Sequence, residues 1–112
     1  MLVNSGSAFD KGDIITIKNI LGEEIICTFV EEDATTITIS DPWAVASQAG
    51  GIGLVPPMVT GEFPKGKEFP VQRAHILWVG LSFEKHTPGL LATYRKEVTG
   101  IEVVESSKKI IT

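Results

Sequence analysis

The chain has 112 residues, of which 43% are hydrophobic and 21% are charged. This composition is typical of a globular protein and excludes a wholly disordered chain, so we expect one domain over residues 1–112 with a loose lead-in over residues 1–12. The net charge of −4 excludes a protein that coats nucleic acid through bulk positive charge, although it leaves room for a local basic patch.

The sequence shows none of the patterns of a disulfide-rich, secreted or membrane-spanning protein. Cys27 is the single cysteine, and its strand-like surroundings indicate a small buried side chain rather than a reactive thiol. Residues 1–6 do not show the basic segment and apolar run of a signal peptide. No apolar stretch approaches the roughly 20 residues that a transmembrane helix needs. We therefore expect a cytoplasmic protein.

The first third of the chain contains three β-branched runs separated by turns of hairpin length. Residues 13–18 and 24–31 are predicted strands, and residues 35–40 alternate cleanly between apolar and polar side chains. Such short connections predict sequential antiparallel pairing in a meander. Both faces of the second run are apolar, which favours a strand shared between a core and a subunit contact. We expect Asp41-Pro42 to end the third strand or to place it at a sheet edge.

The rest of the chain is predicted to be less regular. Residues 43–70 form a variable loop region, rich in glycine and proline, with a weak strand over residues 52–59. Residues 71–83 form a strong apolar strand with a bulge or bend at Gly80. Residues 84–112 are predicted to hold an amphipathic helix, which starts at a threonine-proline pair and stops at a glycine, then a short strand and a tail. The fold class is therefore all-β in the main, with one short C-terminal helix.

The order of these elements resembles that of the Sm-like family, which includes Sm, LSm and Hfq proteins. Residues 25–37 are similar to the first family signature, because Asp33 stands near the family aspartate. Cys27 stands near the position of the family glycine, which is absent. Thr35 or Thr36 replaces the family asparagine, a residue that contacts bases, so this departure weighs against base-specific binding.

The second family signature resembles residues 71–79, where Gln72 and Arg73 stand at the polar turn that opens the apolar strand. The resemblance covers residues 13–40 and 71–80, about a third of the chain. The usual N-terminal helix signal is missing and a helix is added near the C-terminus. A compact variant of this kind is similar to the Sm-like proteins of phages.

This resemblance implies a small, strongly bent antiparallel barrel of the Sm-like or SH3-like type. It implies a homo-oligomeric ring, from pentamer to heptamer, that binds single-stranded RNA through pore-lining loops in the cytoplasm, or in the host cytoplasm if the protein is phage-encoded. Arg73 is expected to meet a phosphate and stack on a base, and His75 to donate or accept a hydrogen bond. The other candidate RNA-binding residues are Gln72, Asp33, Thr35, Thr36, Lys65 and Lys67.

Each candidate also has a purely structural interpretation. Arg73 is then a surface charge, His75 a polar residue at a strand end, and the Asp33 segment an ordinary turn. Trp78 lies in an apolar run and is predicted to belong to the core rather than to a stacking platform. The acidic balance and the missing asparagine favour an alternative function: a structural or adaptor β-barrel oligomer, such as a phage accessory or assembly protein, that binds protein only.

No residue pattern predicts an enzyme. His75 and His86 are the only histidines, and no paired cysteines stand at the spacing of zinc ligands. The glycines of residues 50–53 lack the lysine and the helix that follow a phosphate-binding loop. No serine or cysteine belongs to a recognisable nucleophile arrangement. We therefore expect no catalytic residue, no metal and no cofactor.

Overall fold

A computed structural model describes residues 8–48, 51–58, 60–61, 64–82 and 89–99. Its strands are β1 (Ile14–Asn19), β2 (Glu24–Glu32), β3 (Thr36–Gln48), β4 (Gly51–Val55), β5 (Glu68–Gln72) and β6 (Ile76–Leu81). A three-residue 3-10 turn (Arg73–His75) joins β5 to β6, and one helix, α1, spans Leu90–Thr99. The prediction of a mainly β fold with one short helix is confirmed.

The first three strands form the predicted antiparallel meander. The sheet order is β4-β3-β2-β1-β6, and β5 pairs with β3 beside β4. The path β5-β3-β2-β1-β6 thus ends on two strands that the 3-10 turn connects directly. No ladder joins β5 to β6 in the part of the chain that the structure describes, so strand pairing does not close the sheet.

The third strand does not end at Asp41-Pro42 and does not lie at an edge, contrary to the prediction. It continues to Gln48, with β2 on one side and β5 and then β4 on the other. Asp41 and Pro42 fall between the residues that pair with β5 and those that pair with β4. Proline has no N–H to donate, so a gap between two partner strands accommodates it. Asp41 has a φ of 51°, a left-handed conformation that marks the bend.

One side of the sheet carries the hydrophobic core, because alternate residues of adjacent strands point the same way. The buried cluster consists of Ile15, Ile17, Cys27, Phe29, Ile37 and Ile39. The structure confirms that Cys27 is a buried side chain. Burial raises the pKa of its thiol, because the low-dielectric interior disfavours the thiolate.

The opposite, outer side of the sheet is covered in part by α1. Ile26 and Thr28 point to this side because they alternate with Cys27, and Ile26 is fully buried. Tyr94 of α1 is 1% exposed, and its hydroxyl donates a hydrogen bond to the Asp41 carbonyl at 2.8 Å. The hydroxyl of Thr28 lies 2.8 Å from that of Tyr94. Where the sequence favoured a subunit contact beside β2, the chain's own helix is present.

The apolar run predicted as one strand over residues 71–83 is divided in the structure. Its beginning belongs to β5, and Arg73–His75 turn the chain before β6 starts. Phe83, at the predicted end of the run, lies outside the described residues. Arg73 and His75, which the sequence singled out, therefore lie in a turn rather than in a continuous strand.

Trp78 is not a core residue, contrary to the prediction, because it is 73% exposed. The pairing of β6 with β1 shifts register between Lys18 and Asn19, which is a β-bulge. Ile76 and Val79 pack against the core on either side of it. The bulge therefore leaves two successive large apolar residues of β6, Leu77 at 54% and Trp78, exposed together.

Several predictions fall wholly or partly outside the described residues. These are the helix start at Thr87-Pro88, its stop at Gly100, the last strand over residues 101–105 and the tail. The weak fourth strand is present as β4 but ends at Val55, before the first of two successive prolines. Among the described residues, no helix has both the length and the apolar character that crossing a bilayer requires.

Candidate nucleic-acid interface

The turn between β2 and β3 is organised by the side chain of Asp33. Its Oδ1 accepts hydrogen bonds from the N–H groups of Thr35 and Thr36 at 2.9 and 2.8 Å, and from their hydroxyls at 3.3 and 3.1 Å. These bonds, chiefly that from the Thr35 N–H, lower the pKa of the Asp33 carboxyl because they favour its charged form. The three side chains thus hold the turn in shape.

The 3-10 turn docks on this β2–β3 turn through Arg73. The Arg73 N–H donates to the Thr35 carbonyl at 2.9 Å, and Arg73 Nε donates to the Asp33 carbonyl at 2.7 Å. The guanidinium also forms an ion pair with the Glu32 carboxylate. Gln72, the last residue of β5, lies opposite Thr36 in the β3–β5 ladder.

Five of the predicted site residues therefore come together from two distant segments. We call them the Asp33–Arg73 cluster: Asp33, Thr35, Thr36, Gln72 and Arg73. The resemblance to the Sm-like family implied this proximity, because it placed both segments at one pore. The ion pair with Glu32 was missed, because nothing in the local pattern shows which acidic residue of the turn faces the arginine.

His75, at the other end of the 3-10 turn, is exposed and contacts a different turn. Its carbonyl accepts a hydrogen bond from the Ile20 N–H at 2.9 Å. Asn19 shapes this β1–β2 turn, since its Oδ1 accepts bonds from the N–H groups of Leu21 and Glu23 at 3.0 Å each. Ile20 and Leu21 are 53% and 80% exposed. Sequence reasoning missed this apolar tip, which two large aliphatic residues ahead of a turn glycine would have signalled.

Lys65 and Lys67 are not part of the Asp33–Arg73 cluster. Both are exposed in the loop that precedes β5, whereas Gln72 ends that strand. The Gly66 N–H donates to Asp41 Oδ1 at 2.8 Å, which attaches the loop to the bend of β3. The loop lysines and Arg73 therefore lie at opposite ends of β5.

Charge limits what the cluster can bind. The Arg73 side chain is 37% exposed and that of its partner Glu32 is 16% exposed, so the ion pair is partly buried. Asp33 adds a second negative charge beside the arginine. Any phosphate that binds the guanidinium must therefore compete with the Glu32 carboxylate.

The described residues contain no group of three or more histidine, cysteine, aspartate or glutamate side chains placed to hold a metal ion. No protein-family model matches the chain, and no curated protein is significantly similar to it. The Sm-like family therefore remains a resemblance, and any function must be argued from the chain's own residues.

Proposed function

We propose that this protein is a non-catalytic, Sm-like module that assembles into a ring of identical copies and binds single-stranded RNA through the Asp33–Arg73 cluster. The observation that carries the proposal is an arginine that is held on the β2–β3 turn and whose side chain is still 37% exposed. A guanidinium binds phosphate through two parallel hydrogen bonds and stacks on bases. Fixing its Nε on the Asp33 carbonyl lowers the entropy that binding would cost.

Unpaired strand edges support the assembly of copies. β6 pairs only with β1, and β5 only with β3, among the described residues. Exposed edges of this kind are templates for strands of another chain. Pairing β6 of one copy with β5 of the next joins two different surfaces, which is a heterologous contact. Such contacts form a ring when the rotation from each copy to the next adds up to a full turn. Such pairing would also cover Leu77 and Leu81, which are 54% and 48% exposed.

A ring would compensate for the weakness of each single site. One arginine opposed by Glu32 in a chain of net charge −4 gives little affinity alone. Repeating it around a ring makes each later contact intramolecular for a bound strand, so the affinities reinforce one another. Oligomerisation and RNA binding are therefore coupled in this proposal.

The second candidate function is a structural or adaptor oligomer that binds protein only. The exposed apolar tip of Ile20 and Leu21 favours it, because a protein partner gains by covering such residues. The ion pair between Arg73 and Glu32 favours it too, since it occupies the cation that RNA would need. This candidate predicts the same oligomer without affinity for RNA.

The test measures oligomeric mass by light scattering and RNA binding by fluorescence anisotropy with labelled oligouridylate and oligoadenylate at low salt. We expect a homo-oligomer whose affinity falls as salt rises. Arg73→Ala should weaken binding about tenfold or more, and Arg73→Lys should restore it only in part because lysine lacks the planar fork. Lys96→Ala, which removes one positive charge from α1, is the matched control and should bind as wild type does.

A monomer without RNA affinity at low salt would refute the proposal. An oligomer that ignores RNA would establish the adaptor candidate instead. Equal binding by wild type and Arg73→Ala would exclude the Asp33–Arg73 cluster as the RNA site.

A further inference from the structure

The outer side of β1 and β6 carries a second surface, separate from the Asp33–Arg73 cluster. Lys18 of β1 lies opposite Trp78 of β6 and opposite Glu24 of β2, so these three residues form one row across three strands. Thr16 and Gly80 pair in the adjacent row. Together with Val79 and Leu81, these five residues line one shallow, open depression, which we call the Trp78 face.

The Trp78 face places an exposed indole ring beside the backbone of a glycine. Trp78 is 73% exposed, and Gly80 lies two residues further on the same side of β6. A Cβ placed on Gly80 would meet no atom within 4 Å, so the space above the glycine is open. A planar ring can therefore lie against the indole without displacing any side chain at this position.

Both charges of the Trp78 face lie on the same side of the indole, with Lys18 next to Trp78 and Glu24 beyond it. Among the described residues, no carboxylate forms an ion pair with Lys18. Directly opposed side chains on adjacent strands have Cβ atoms about 5 Å apart, so the ammonium can reach a phosphate attached to a base stacked on Trp78. Glu24, one strand further from Trp78, accepts hydrogen bonds from amino groups and repels phosphate from that end.

We propose that the Trp78 face binds a nucleotide of single-stranded RNA, with the base stacked on Trp78 and its phosphate at Lys18. The inference rests on the proposed function, since RNA is the ligand in both. Base–aromatic stacking beside a lysine is how many proteins bind single strands without sequence preference. Trp78 lies three residues beyond His75, so a strand bound at the 3-10 turn can continue onto this face.

The neighbours of Trp78 favour RNA over a protein occupant. A buried protein contact would place further apolar side chains around the indole, as the core of an interface does. Here the depression is lined by an ammonium, a carboxylate, a hydroxyl and a bare glycine as well as by Val79 and Leu81, so charged and polar groups lie within reach of the indole. Thr16 Oγ1 lies 2.5 Å from the hydroxyl oxygen of Ser82, which adds a second polar group beside Gly80.

The test uses Trp78 as its own reporter. The chain has two tryptophans, so Trp43→Phe leaves Trp78 as the only indole. We expect saturable quenching of its fluorescence by oligouridylate, with circular dichroism and oligomeric mass unchanged by the substitution. Trp78→Ala should weaken RNA binding about tenfold, as measured by fluorescence anisotropy. Lys18→Gln should lower the slope of log affinity against log salt concentration by about one, because one fewer counterion is released. Ile52→Ala, an exposed apolar truncation in β4, is the matched control and should leave binding unchanged.

The outcomes separate this inference from the proposed function. RNA binding by the Trp43→Phe protein without quenching, or equal binding by Trp78→Ala, overturns the Trp78 face and leaves the Asp33–Arg73 cluster in place. A lower oligomeric mass of Trp78→Ala overturns the inference by identifying the face as a contact between copies. Failure of wild type to bind RNA overturns the proposed function first, and the inference with it.

Discussion

A large aromatic side chain lies on each half of the same outer sheet surface, Tyr94 from α1 on one half and Trp78 from β6 on the other, and the two differ in exposure. On the half formed by β2 and β3, Tyr94 is 1% exposed and bonds to Thr28 and Asp41. On the half formed by β1 and β6, Trp78 is 73% exposed. The comparison shows that the position of α1, rather than the alternation of side chains, separates a buried aromatic from an exposed one.

The largest expected effect comes from removing each of these two aromatic side chains in turn and comparing the loss of stability. Tyr94→Ala should lower the free energy of unfolding by about 3–5 kcal/mol, because it removes a fully buried aromatic side chain. Trp78→Ala should change it by less than about 0.5 kcal/mol, since an exposed ring leaves no cavity. Urea unfolding followed by circular dichroism measures both values.

The comparison fails if the two variants lose similar stability. A large loss in Trp78→Ala alone would mean that the indole is buried in the assembled protein. If Tyr94→Ala does not fold, Tyr94→Phe still measures part of the contribution of this buried side chain to stability.

A smaller effect is expected when only the hydroxyl of the covered aromatic is removed. Burial raises the pKa of Tyr94, so its phenol stays protonated and donates to the Asp41 carbonyl, while Thr28 donates to the phenol oxygen. Tyr94→Phe leaves that carbonyl without its donor and should cost about 1–2 kcal/mol in urea unfolding. A double-mutant cycle with Thr28→Val should show coupling between the two hydroxyls. Additive losses would show that the Thr28–Tyr94 hydrogen bond contributes nothing.

The difference between the two halves could not be predicted from the sequence, whereas the meander could. β1, β2 and the start of β3 follow from local alternation and short turns, which need no knowledge of the rest of the chain. Exposure of Trp78 depends on a bulge that exists only where β6 pairs with β1. The continuation of β3 through Pro42 depends on a change of partner strand. Both features are long-range, so a local pattern contains no signal for them.

The candidate site also combines features that the local sequence predicts with one that it does not. Turn chemistry at Asp33, Thr35 and Thr36 is local and was predictable, and the resemblance to the Sm-like family placed Arg73 near it. The Glu32 partner of Arg73 is 41 residues away in sequence and depends on how the 3-10 turn docks. Because Glu32 pairs with the guanidinium, it limits what else Arg73 can bind. This contact could be identified only from the three-dimensional structure.

The smallest effect is expected at Asp33, whose side chain is hydrogen-bonded, as that of Tyr94 is, but exposed, as that of Trp78 is. Its pKa is lowered in the folded protein by the N–H groups of Thr35 and Thr36, so its carboxylate adds stability that is complete above the unfolded value of about 3.9. That stability is lost as pH falls through the lower folded pKa. Asp33→Asn keeps an oxygen acceptor for the turn and removes the charge, so it isolates the titration. Between about pH 6 and about pH 3 the urea midpoint of wild type should fall further than that of Asp33→Asn, and parallel curves would show that the turn binds the neutral and charged acceptor equally well.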